Sequence, residues 1–204
     1  MILSGRRVLE LNERYNLIEG LSMRESGNPE GIDLDLRVGR VERIVGSSYL
    51  GIEDRASAVT ELVGDIKNGS KRIVMKPGDF FLVETMERIN CPENPIVYED
   101  GALPRLIIPD VRPRVSLQKG GIGLHCSTTN PGYNGPLWFG LSNNNRSDFL
   151  SRLFNRRKGN FEFELGARMF KVYWQSVIGN IYRPYSGQHQ GGRITSQGQT
   201  EVQT

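Results

Sequence analysis

Apolar residues in this chain come in short runs, and the clearest run alternates. Ile32, Leu34, Leu36 and Val38 are separated by Asp33, Asp35 and Arg37, and the run stops at Gly39. A period of two turns one face of a strand inward and the other to solvent. Residues 41–45 continue the strand after a bulge at Gly39-Arg40. Residues 72–75, 80–85, 106–108, 137–141, 161–165 and 169–177 are also predicted strands. Turn signals part them, among them Lys76-Pro77-Gly78-Asp79 and Asn130-Pro131-Gly132-Tyr133-Asn134-Gly135. With 24 Gly and 10 Pro in 204 residues, turn formers are frequent enough to break the chain into many such strands. The pattern predicts a mainly β sandwich, jelly roll or distorted barrel with one or two short helices.

The first helix is expected after Ser4 as N-cap, with Val8, Leu9 and Leu11 on one face, ending near Arg14. A second is expected from Ser147, with Phe149, Leu150, Leu153 and Phe154 on one face and Arg146, Arg152, Arg156, Arg157 and Lys158 elsewhere. Residues 21–31 and 90–104 read as loops. Residues 46–70 read as an irregular excursion with a helical turn within 56–62. Residues 1–182 are expected to form a single domain. Residues 183–204, rich in Gln, Gly, Ser and Thr, are expected to be a flexible tail able to close over a ligand.

A 37% hydrophobic, 24% charged composition supports a packed core. The net charge of +3 suits an anionic ligand without calling for nucleic acid. No apolar run approaches eighteen residues and the N-terminus has no signal-peptide pattern, so a cytoplasmic chain without a membrane partner is expected. Cys91 and Cys126 have no C-x-x-C spacing, and His125 and His189 are isolated, so no metal is expected on protein side chains.

Residues 112–143 carry the chemistry. Arg112, Arg114, Ser116 and Lys119 form a basic, hydroxyl-bearing turn, and the Asn130–Gly135 turn joins two apolar runs into a hairpin. Alone, such a basic turn is as readily a solvated surface. With backbone donors beside it, it offers a cradle for a phosphorylated ligand whose flat part lies in the hairpin mouth.

In order along the chain, these motifs resemble the dCTP deaminase branch of the dUTPase and dCTP deaminase superfamily. Residues 32–39 resemble its D-x-R-L-G strand, and Pro77-Gly78-Asp79-Phe80 through Glu87 resembles P-G-E-F…T-x-E. Arg114-Val115-Ser116-Leu117 stands where the family has R-S-S-L. Asn130-Pro131-Gly132-Tyr133-Asn134-Gly135 is similar to D-P-G-W-x-G. Gln188-His189-Gln190-Gly191-Gly192-Arg193 is similar to its K-Y-Q-G-Q-R-G tail. Insertions fall near residues 93–108 and 144–160.

The resemblance implies a dUTPase-like distorted jelly roll, or β-clip barrel, in a homotrimer with deoxynucleoside triphosphate sites at subunit interfaces. The ligand would be dCTP or dUTP, with Mg²⁺ carried on the triphosphate. Arg114, Ser116 and Lys119 would meet phosphates, Tyr133 would lie under the deoxyribose, and the backbone near Thr129 and Asn130 would read the base. Gln190 and Arg193 would close over the triphosphate. The implied reaction is dCTP deamination or dUTP hydrolysis.

The catalytic positions depart from the family. Val115 replaces the first serine of R-S-S-L, Asn130 the dUTPase aspartate and Gly140 the deaminase glutamate. Neither valine nor glycine can orient or deprotonate water, and asparagine is a poor base. His125 is a further candidate, and Asp110, Glu84, Glu87, Glu162 and Glu164 are carboxylates whose simpler roles are surface ion pairs. A trimeric nucleotide-binding or regulatory protein without catalysis is the alternative.

Overall fold

A computed structural model describes residues 1–69, 72–146, 159–179 and 181–202. The expected basic helix from Ser147 lies outside the described residues. Ser4 caps α1 (Gly5–Tyr15), its hydroxyl accepting from the Arg7 amide at 3.2 Å, and Val8 and Leu11 are buried. β1 (Ile18–Glu19) follows, then a short helix α2 (Met23–Gly27) inside the expected loop, because Ser22 accepts from the Glu25 amide as an N-cap.

β2 (Leu34–Ile44) is the expected strand, starting after Ile32, which is exposed, and with Asp35 on its outward face covered, and the bulge expected at Gly39-Arg40 falls where its register with the next long strand shifts. Residues 46–70 are more regular than the sequence predicts. They form β3 (Tyr49–Leu50), β4 (Asp54–Ala56), β5 (Thr60–Asp65) and a 3-10 turn over 66–68 in place of a helical turn within 56–62. β6 (Arg72–Met75), β7 (Phe80–Asn90) and β8 (Ile107–Pro113) come next. β8 runs through Pro109, beyond its expected end, because it is an outer strand of the sheet, where a missing N–H is tolerated.

The basic turn is a short helix, α3 (Val115–Lys119), followed by β9 (Ile122–His125) and β10 (Asn134–Asn143). β11 (Phe161–Glu164) and β12 (Arg168–Ser176) follow. β12 is not the last strand, since β13 (Thr200–Val202) pairs with β4.

All strand pairings among the described residues are antiparallel. The main sheet runs β8-β12-β2-β7-β10-β9, with β1 also on β7 and β5 also on β2, and it curls into a nearly closed barrel. Alternate residues point into it: Leu34, Leu36, Phe81, Val83, Leu141, Phe170 and Trp174 are each at most 1% exposed. Phe139 and Phe170 meet at 4.8 Å between ring centroids. The mainly β, distorted barrel with short helices is therefore the architecture the chain adopts. No helix among the described residues is long and apolar enough to cross a membrane.

Candidate functional site

The Asn130–Gly135 turn is pinned to the end of β7. The Gly132 amide donates to the Cys91 carbonyl at 2.9 Å, and the Cys91 amide donates to the Tyr133 carbonyl at 2.8 Å. Gly132 has φ +89°, as the third residue of a turn with proline second requires. Tyr133 is buried, its hydroxyl donates to the Pro136 carbonyl, and burial pushes its phenol up to about 12.

Beside this turn opens a cavity of about 350 Å³. Ser127, Thr128, Thr129 and Asn130 form its polar wall, and Tyr133, Leu137, Trp138 and Phe139 its apolar one. The Trp138 ring packs under the Arg40 guanidinium at 5.9 Å. The tail closes the remaining side with Tyr185, His189, Arg193 and Ile194.

Residues 181–202 are held by specific contacts. The Tyr185 amide donates to the Pro131 carbonyl at 2.7 Å. The Gln190 side chain bridges the turn, donating to the Gly132 carbonyl at 2.8 Å and accepting from the Asn134 amide at 3.2 Å. Arg193 pairs with Glu201, and the Thr195 hydroxyl donates to the Ala58 carbonyl at 2.5 Å. Gly135 and Gly192 are in backbone contact, and a Cβ on Gly135 would lie 2.6 Å from the Gly192 nitrogen. Gly135→Ala is therefore expected to lift the 185–193 segment off the hairpin. Limited proteolysis should show faster cleavage there, with the barrel left intact.

The residues predicted for the ligand fall into two groups. Thr129, Asn130, Tyr133 and Arg193 line the cavity, and Gln190 is spent on the turn. Arg114, Ser116 and Lys119 line no part of it. Leu117 anchors α3 in the core and leaves Val115, Ser116 and Lys119 exposed. Arg114 pairs with Asp35 in a charged recess shared with Arg24, Glu25, Asp33 and Lys171. Asp35 also accepts from Arg168 at 2.9 Å, and burial raises its carboxyl above the usual range against the pull of Arg114.

At Gly140, a Cβ would meet the Phe80 ring at 2.5 Å and the His125 Cβ at 3.2 Å. Aromatic groups, with no carboxylate among the nearest atoms, occupy the place beside this glycine. The His125 ring packs against Phe80 at 5.6 Å, tilted by 45°, and its Nε2 lies 2.9 Å from the Ser142 hydroxyl, away from the cavity lining. The other carboxylates have structural partners. Glu87 holds Arg37, Asp110 holds Arg112 and Tyr173, and Glu162 and Glu164 face Arg72. Glu84 sits opposite Trp138 on β7, with its carboxyl raised by burial and lowered less by Arg40.

Sequence reasoning missed Trp138, Tyr185, His189 and Ile194 as lining residues. Trp138 was legible only as one residue of the apolar run 137–141. Tyr185, His189 and Ile194 lie in a tail whose docking partner is remote in sequence.

A family model described as dCTP deaminase-like matches residues 2–152. The dCTP deaminase of Thermococcus kodakarensis is 26% identical over 177 residues, covering 87% of this chain and 86% of its own. That of Pyrococcus horikoshii is 27% identical over 175 residues, covering 86% and 85%. Among solved structures, the 2'-deoxycytidine 5'-triphosphate deaminase from Agrobacterium tumefaciens superposes with a TM-score of 0.54 at 16% identity. That match covers 85% of this chain, which spans only 46% of the Agrobacterium chain. With three-quarters of its length matched by the family model, and the hairpin and α3 motifs inside the match, the chain belongs to the dCTP deaminase-like family.

Proposed function

We propose that the protein acts on a pyrimidine deoxynucleoside triphosphate, by dCTP deamination or dUTP hydrolysis. The observation that carries this reading is the hairpin cavity. Its hydroxyl and amide wall at 127–130 offers hydrogen bonds to a base edge, and Tyr133 and Trp138 offer flat apolar surface to a ring. Arg193 places a cation at the same cavity. The names of the archaeal relatives favour deamination over hydrolysis.

The separation of α3 from the cavity fits a site completed by a second copy of the chain. Arg114, Ser116 and Lys119 of one copy would bind the phosphates of a nucleotide seated in another copy's hairpin, as expected of a homotrimer. Tyr133 would support the deoxyribose. Mg²⁺ would be carried on the triphosphate oxygens, since the cavity lining supplies neutral and cationic side chains.

A nucleotide panel incubated with purified protein and Mg²⁺ tests the reading, with ammonia, pyrophosphate and phosphate measured separately. Turnover of dCTP to ammonia, or of dUTP to pyrophosphate, is expected. Arg114→Ala and Ser116→Ala are expected to lower kcat/KM by about 10²-fold or more through lost phosphate contacts. Because Arg168 still pairs with Asp35 in Arg114→Ala, its thermal midpoint should move little beside the loss of activity. Nucleotide binding without turnover of any panel member would overturn the enzymatic reading.

A further inference from the structure

A reaction that adds water to a bound nucleotide needs a group that takes a proton from that water and returns it. Among the described residues lining the hairpin cavity there is no Asp, Glu, Cys or Lys. Its ionisable side chains are Tyr133, Tyr185, His189 and Arg193. A phenol and a guanidinium keep their protons at neutral pH, and burial pushes Tyr133 higher still, to about 12. An imidazole is the one side-chain type in this set suited to reversible proton transfer at neutral pH.

The His189 ring is also oriented. Its Nδ1 lies 2.9 Å from the Arg193 carbonyl oxygen. A carbonyl only accepts, so Nδ1 carries the hydrogen and Nε2 presents the basic lone pair. The Gln188 amide donates to that Nε2 at 3.0 Å. His189 lines both the hairpin cavity and the adjoining groove to which Gln188 belongs, so its ring stands at the border of the two, and a water held by a ligand reaches Nε2 by displacing the Gln188 amide. The residue is fixed from both sides. Its amide donates to the Tyr185 hydroxyl at 3.1 Å, and the next residue, Gln190, is clamped to the turn.

We propose that His189 is the proton-transfer residue of the hairpin cavity, an assignment that rests on the deaminase reading above. In this step the water oxygen bonds C4 of the cytosine ring as one water proton passes to Nε2, and the C4–N3 π pair moves onto N3. Nε2 then returns the proton to the amino nitrogen. The C4–N4 bond breaks with its pair on nitrogen and ammonia leaves. The N3 pair re-forms the double bond, and the hydroxyl proton moves to N3 to give uracil. The tail thus supplies the acid–base group among the described residues lining the hairpin cavity.

Ammonia release from dCTP by full-length wild type, His189→Asn and His189→Ala tests the assignment. Asparagine can keep the hydrogen bond to the Arg193 carbonyl but cannot take a proton. Both variants are expected to lose about 10²–10⁴-fold in kcat. Their thermal shift with dCTP should match that of the wild type, and added imidazole should restore part of the His189→Ala rate. Rates in either variant within about tenfold of the wild type would overturn the assignment alone, since the expected loss is about 10²-fold or more. So would a lost rate in both that tracks a lost dCTP shift and is not restored by imidazole. A wild type that releases no ammonia would overturn the deaminase reading and the assignment with it.

Discussion

Replacing Glu87 by alanine is expected to destabilise the fold by about 3–5 kcal/mol, the range found when one partner of a buried ion pair is removed. Glu87 is fully buried on β7, and its carboxylate accepts from the Arg37 amide at 2.8 Å and from the Arg37 Nε at 2.7 Å. It therefore ties β2 to β7. The neighbouring Thr85 hydroxyl donates to the Glu87 carbonyl at 2.7 Å and accepts from the Leu137 amide at 2.9 Å, which extends the network to β10. Removing the carboxylate leaves Arg37, itself largely covered, without a counter-charge, held by the Gly20 carbonyl at 2.7 Å. Urea unfolding of the two proteins measures the loss.

Burial raises the Glu87 carboxyl more than Arg37 lowers it. For an acid whose folded value lies above its unfolded one, the protonated form is favoured by folding. That contribution is present below the unfolded value and is lost as pH rises through the folded one. Glu87→Gln should remove this portion of the pH dependence while retaining much of the shape.

Gly140→Glu is the second large effect. It introduces a carboxylate at this position, but its Cβ would begin 2.5 Å from the Phe80 ring. Overpacking of this kind costs about 1–3 kcal/mol. Because Phe80 is 39% exposed, its ring has a route outward, and the low end of that range is expected. Phe80→Ala should relieve the strain, so the double variant should be more stable than the sum of the single changes implies. A double-mutant cycle by thermal or urea unfolding measures the coupling, and additivity would show that Phe80 does not fill this space.

Local patterns were legible where the chain makes its own partners. The Ser4 cap, the inward Leu34, Leu36 and Val38 of β2, the bulge after Val38 and the Asn130–Gly135 turn depend on near neighbours, and each is found in its expected place. Residues 46–70 were misread because their strands are short and their partners are distant. β4 takes its partner from residues 200–202, and β5 adds to β2. β3 and β4, of two and three residues, carry too little periodicity to reveal such pairings, and in β5 the adjacent Leu62 and Val63 do not alternate.

The candidate site divides along the same line. The basic run at 112–119 and the hairpin were visible as residue types at given spacings. Only the tertiary structure placed Arg114 against Asp35 and spent the Gln190 amide on the turn. It also brought His189 to the cavity and filled the space beside Gly140 with Phe80.

The sequence by itself therefore determined a turn-rich, mainly β chain with a basic turn at 112–119 and a hairpin at Asn130–Gly135, because alternation, capping and turn chemistry act over a few residues. What reaches the cavity was decided by folding. Side chains far apart in the chain meet only once the sheet has closed and the tail has docked on the Gly135–Gly192 contact.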